Sequence, residues 1–110
     1  MDANQGKDIC ERADSLLDQL QGLLEQEIAC VRRGHAEGLG LFGRKTEPLV
    51  QEIVRAGFLQ LPEFADRRAH LRQLYGSLSL MMTARKAEVG DELVSLRRGR
   101  KMLRTYRNTI

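Results

Sequence analysis

His35, His70, Cys10 and Cys30 are the only imidazole and thiol donors in this 110-residue chain. A metal site needs three or four ligands converging on one point, which a helix achieves with HxxxH, HExxH or ExxH spacing. Neither histidine sits in such an arrangement, so neither a metal site nor any other cofactor is expected. His35 follows Gly34 and reads as a polar turn residue, while His70 is flanked by Arg67, Arg68 and Arg72. The two cysteines lie on one expected helix, about 30 Å apart along its axis. A disulfide requires Cα atoms within about 7 Å, so both thiols are expected to be free, as in a reducing compartment.

Acid–base catalysis fares no better. Two carboxylates divide the roles of acid and base only when a shared, partly buried pocket drives their pKa values apart, and the helical spacing of this chain turns nearly all of its carboxylates outward. Ser15, Ser77, Ser79 and Ser95 lack the GxSxG elbow that presents a nucleophile. The glycines at 34, 38, 40 and 43 lack the GK[ST] ending of a phosphate loop. No enzyme is expected.

Binding chemistry is better represented. The first thirty residues hold seven acidic against two basic side chains, and after Glu92 come Arg97, Arg98, Arg100, Lys101, Arg104 and Arg107 with no acid among them. Such a cluster can neutralise phosphates, which makes nucleic acid one reading of this end. Basic residues near a helix C-terminus are also favoured by the helix dipole alone. Here they alternate with a stripe of Val89, Leu93, Leu96, Leu103 and Tyr106, flanked by Met102. That stripe is too apolar for plain solvent and too interrupted by arginine for a complete core. These six residues are the candidate partner-binding surface, suited to an amphipathic helix, and nucleic acid is the less favoured partner.

The elements that must carry these residues are helices. Ile9, Ala13, Leu16, Leu17, Leu20, Leu23, Leu24, Ile28 and Val31 recur at three and four positions, which predicts a first helix over about residues 6–33, with Asp8 and Glu11 as its capping box. A glycine-rich second helix is expected over about residues 36–56, where Pro48 either kinks it or opens a fresh start capped by Thr46. Gly57 and Pro62 end it. No proline follows, and the simplest reading of the rest is one helix over about residues 63–107, some 65–70 Å long, with Gly90 the place for a break. The expected fold is all-α: a single domain built as an antiparallel three-helix bundle with a long, coiled-coil-like C-terminal helix.

No apolar run approaches the roughly 20 residues of a membrane span. The N-terminus lacks the basic start and apolar core of a secretory signal, so the expected compartment is the cytosol.

Between residues 16 and 54 the chain resembles the FlgN family of bacterial flagellar export chaperones. The shared pattern is a leucine pair and glutamate (Leu23, Leu24, Glu25), a turn (Val31 with Gly34), then Leu39, Lys45 and the apolar pair Leu49 and Val50. The third expected helix agrees in length and character, although MMTARKAEVGDEL stands where family members often carry asparagines. A helical export chaperone of the FliT type is the alternative within the same class. The resemblance implies a cytosolic chaperone that holds the helical ends of unassembled hook-associated proteins and delivers them to the flagellar type III export apparatus. A homodimer is compatible with it. A basic nucleic-acid-binding protein and a structural helical adaptor are the competing readings.

Overall fold

The computed structural model describes residues 3–35, 38–84 and 90–110. Among these the structure is all-α: α1 (Ala3–Arg32), α2 (Leu39–Ala56), two single 3-10 turns at Phe58–Gln60 and Pro62–Phe64, α3 (Ala65–Ala84) and α4 (Gly90–Thr109). The first two helices fall close to their expected places. The helix expected over 63–107 does not exist as one piece. Its two parts fold back on each other, so that Tyr75 and Tyr106 stand with ring centroids 6.0 Å apart, whereas 31 residues of continuous helix would separate them by about 46 Å. Residues 85–89, which join the two, lie outside the described set. The cause is burial. A helix of that length would carry its apolar stripe past anything able to cover it, and a hairpin covers both halves at once.

Local chemistry sets the helix ends. Gly34, at φ 88°, closes α1 with a Schellman motif: its N–H donates to the Val31 carbonyl, and the His35 N–H donates to that of Cys30, both at 2.9 Å. Gly57, at φ 72°, closes α2 by donating to the carbonyls of Ile53 and Val54. Two expected caps are absent. α1 starts at Ala3, which leaves Asp8 inside the helix, and Thr46 lies within α2, its hydroxyl donating back to the Phe42 carbonyl at 3.0 Å. Pro48 is accommodated inside α2 without ending it.

The packing order is a ring, α1–α2–α4–α3, made of two antiparallel hairpins laid side by side. Arg12 of α1 pairs with Glu52 of α2. Arg67, at the start of α3, donates to Asp14 at 3.2 Å and Asp18 at 2.5 Å on α1. Gly43 faces Met102 across α2 and α4, where an added Cβ would overlap the Met102 sulfur. The molecule measures 58 × 21 × 20 Å, and its cross-section fits a two-by-two array at the usual 8–10 Å interaxial distance.

The core runs along the centre of this array. It takes Leu17, Leu20, Leu24 and Ile28 from α1, Phe42, Val50 and Ile53 from α2, Leu71, Tyr75, Leu78 and Met82 from α3, and Leu96 and Leu103 from α4. Phe58, Leu59 and Phe64 from the 3-10 turns are buried with it, two of their rings meeting at 5.3 Å.

Candidate partner-binding surfaces

The hairpin of α3 and α4 decides the fate of the expected C-terminal stripe. Leu96 and Leu103 are buried, at 6% and 0% exposure. They belong to the protein's own core and offer nothing to a partner in this conformation. Met102 is half-buried against Gly43 of α2. Tyr106, also half-buried, meets Tyr75 edge-on at 72°. Val89 lies outside the described residues, and Leu93 is described only as a backbone position of α4. The spacing assigned this stripe to another molecule; in this structure α3 and α2 cover Leu96 and Leu103.

The tyrosine pair is the electrostatic oddity of the interior. Tyr75 is fully buried and its hydroxyl has no hydrogen-bond partner among the described residues. Burial, and then neighbouring Tyr106, push its phenol well above the ordinary tyrosine value. Burial, and then Glu47, raise Tyr106 in the same direction. Both stay neutral at physiological pH. A neutral phenol inside a bundle is a packing group.

Among the described residues the outside carries grooves at three places. The first, about 620 Å³, lies between the N-terminal half of α1 and the C-terminal half of α2. Ala13, Leu16 and Phe58 form its floor, Pro48 and Ala56 its wall, and the Arg12–Glu52 pair and Arg55 its polar rim. The second, about 580 Å³, lies along α3 beside the end of α4, with Leu80 and Gly76 in it and Arg72 and Arg107 at its edge. The third, about 320 Å³, separates α2 from α4 and is lined by Val50, Val54 and Tyr106. An amphipathic helix seats two or three side chains at i, i+3 or i+4, and i+7 in grooves of this kind. Sequence reasoning did not find the first two. The α1–α2 groove exists only because two hairpin arms and the turn at Phe58 diverge there, which no local pattern encodes. The second had a signal in Leu80, two residues after the buried Leu78 and therefore on the opposite side of the same helix.

The residues that carry the FlgN-type resemblance map onto the α1–α2 hairpin. Leu24 and Val50 are core, and Leu23, Val31 and Leu49 pack against it. Gly34 makes the turn. Glu25 and Lys45 are exposed, and among the described side chains of the pattern they are the two that packing does not explain; the side chain of Leu39 lies outside the described set. Among the described residues no three His, Cys, Asp or Glu side chains gather as a metal site, and no helix is long and apolar enough to cross a membrane. No family model matches the chain, and neither a curated protein nor a solved structure matches it.

Proposed function

We propose that the protein is a cytosolic chaperone of flagellar type III export, binding the helical ends of unassembled hook-associated proteins and handing them to the export apparatus. The observation that carries this reading is the open groove of the α1–α2 hairpin; residues 16–54 of that hairpin resemble FlgN-type chaperones, and the groove lies at the end where Arg12, Ala13, Arg55, Ala56 and Phe58 extend beyond them. Its floor is apolar and its rim holds paired charges, the arrangement that accepts an amphipathic helix and excludes a flat polar surface. Pro48 and Ala56, exposed over the nearly buried floor of Ala13, Leu16 and Phe58, meet the cargo's anchor side chains, and Arg12, Glu52 and Arg55 set its register. The chemistry required is reversible burial of apolar surface, so neither nucleotide nor metal takes part.

The reading is tested by titrating the purified protein with a peptide spanning the terminal helix of a hook-associated protein, followed by calorimetry. Binding is expected, and Ala56→Trp, which fills the groove from an exposed position, should weaken it about tenfold or more while leaving the melting temperature in place. In cells, deleting the gene should block export of hook-associated proteins and leave earlier flagellar stages intact. Normal export in the deletion strain would overturn the proposal.

A further inference from the structure

α3 has a buried apolar side and, opposite it, an uncharged stretch with one large exposed hydrophobic. Leu71, Tyr75, Leu78 and Met82 face the core, and their spacing accounts for one side. On the other, Ala69, Gln73, Gly76, Leu80 and Thr83 recur at four, three, four and three residues, the spacing of a coiled-coil seam. No charged side chain occupies this row, in a chain of which 30% is charged. At its centre Leu80 is 73% exposed, more than any other exposed large hydrophobic among the described residues. Gly76 beside it serves no internal contact that demands glycine, since an added Cβ would meet only the Arg107 guanidinium, at an ordinary 3.6 Å. A glycine inside a helix destabilises it relative to alanine. Here it buys no closer packing within the chain.

A second, independent feature borders this seam. Arg97, Arg100, Arg104 and Arg107 recur at three, four and three residues along α4 and so share one edge of that helix. Arg107, the last of them, lies over Gly76 and lines the α3 groove together with Arg72 and Leu80. The antiparallel hairpin then brings Arg104 and Arg100 past the following turns of α3, with Arg97 one turn further along α4. Among the described residues none of these four arginines makes an ion pair. The seam is therefore neutral in the middle and cationic along its α4 side.

We infer that the outer face of α3 and the arginine edge of α4 together form a docking site for an acidic amphipathic helix of another protein, with apolar residues on Leu80 and Gly76 and carboxylates along the arginine edge. The partner's chemistry follows from charge complementarity. Four unpaired cations at heptad-like spacing match glutamates flanking a leucine seam, and repel a lysine-flanked helix. This surface lies on the α3–α4 hairpin and stands independently of the chaperone reading, which concerns the α1–α2 groove.

The probe is a blocked, fluorescently labelled peptide of three heptads with leucine at each a and d position and glutamate at each e and g position. Its like charges keep it from pairing with itself. A second peptide carries lysine at e and g. Anisotropy titrations should show the glutamate peptide binding and the lysine peptide not. Leu80→Ser should weaken binding about tenfold or more, as truncation of a central anchor does. The double variant Arg97→Glu, Arg104→Glu should lose the glutamate peptide and gain the lysine peptide. Leu80, Arg97 and Arg104 are all exposed, so circular dichroism should show each variant folded. Equal binding of the two peptides would overturn the inference, as would no binding of either. A loss produced by Ala56→Trp and not by Leu80→Ser would place the peptide in the other groove and overturn it equally. So would concentration-dependent dimerisation abolished by Leu80→Ser without peptide binding, which makes a second copy the occupant, and so would capture of duplex DNA by the arginine edge without peptide binding.

Discussion

Truncating Leu103 tests whether α4 is part of the fold. Its side chain is fully buried at 0% exposure, on the face of α4 that packs into the shared core. Leu103→Ala removes the equivalent of three methylene groups from that environment, a transfer loss of roughly 2 to 2.5 kcal/mol. The cavity left behind raises the total to about 2–5 kcal/mol, depending on how far the surrounding core collapses into it. Against a total stability of about 5–15 kcal/mol this is a large fraction. For a chain near this length it corresponds to a fall in melting temperature of about 10–25 °C. The assay is thermal and urea denaturation followed by circular dichroism, with Val94→Ala as the comparison, since Val94 sits on the same helix at 47% exposure. Val94→Ala should stay within about 0.5 kcal/mol of the parent, as surface substitutions do. A Leu103→Ala variant that melts with the parent would refute the hairpin and return the stripe to a partner-facing role.

Gly34→Ala should cost about 1 kcal/mol or more, because its φ of 88° lies in the left-handed region; Gly22→Ala, in open space within α1, should instead stabilise by up to about 1 kcal/mol, and urea midpoints of the two variants read out the contrast. Tyr75→Phe removes a buried hydroxyl without a partner and should be neutral or stabilising at pH 7, where a loss above about 1 kcal/mol would reveal a hydrogen bond to that hydroxyl. Because the folded state holds this phenol neutral beyond the pH, about 10, at which an unfolded tyrosine ionises, stability should be constant below that pH and fall as pH rises above it. Tyr75→Phe should blunt that alkaline loss, and an unchanged profile would refute the assignment.

How far the fold was legible depends on the element. The α1 ladder of Leu16, Leu17, Leu20, Leu24 and Ile28 is buried throughout, because three-and-four spacing states directly which side of a helix avoids water. The same rule singled out Leu96 and Leu103, but as a face for a partner. It could not say what buries them, since spacing within one helix carries no information about which other helix lies opposite. The reversal between α3 and α4 has no proline to announce it, only Gly90, and a glycine inside a helical pattern is tolerated as often as it terminates one. Leu80 escaped notice for a related reason. In the run Leu78, Ser79, Leu80, Met81, Met82, apolar residues point in every direction, and only the packed structure separates the turn that faces the core from the one that faces solvent. The glycines divided in the same way: Gly34 and Gly57 carry positive φ, while Gly22 and Gly76 read identically in the sequence and have no such need.

The ring order α1–α2–α4–α3 also shapes how the chain finds its structure. Each hairpin closes between helices adjacent in sequence, at a small entropic cost of loop closure, so α1–α2 and α3–α4 can form early and separately. What remains is a single docking step along two seams, α1 with α3 and α2 with α4. Arg67 reaching Asp14 and Asp18 guards one seam, and the Gly43–Met102 approach guards the other. Low contact order of this kind goes with folding in microseconds to milliseconds. The segment from Gly57 to Phe64 is the sole covalent tether between the two hairpins, so during synthesis the first can complete itself and wait for the second. Two chains held close together at that moment face a choice that a single chain does not, because either first hairpin can accept either second one. Exchange of α3–α4 between neighbours is the characteristic misassembly of such an architecture, and the short linker, with Phe58, Leu59 and Phe64 buried at the bundle's end, is what biases each chain toward its own half.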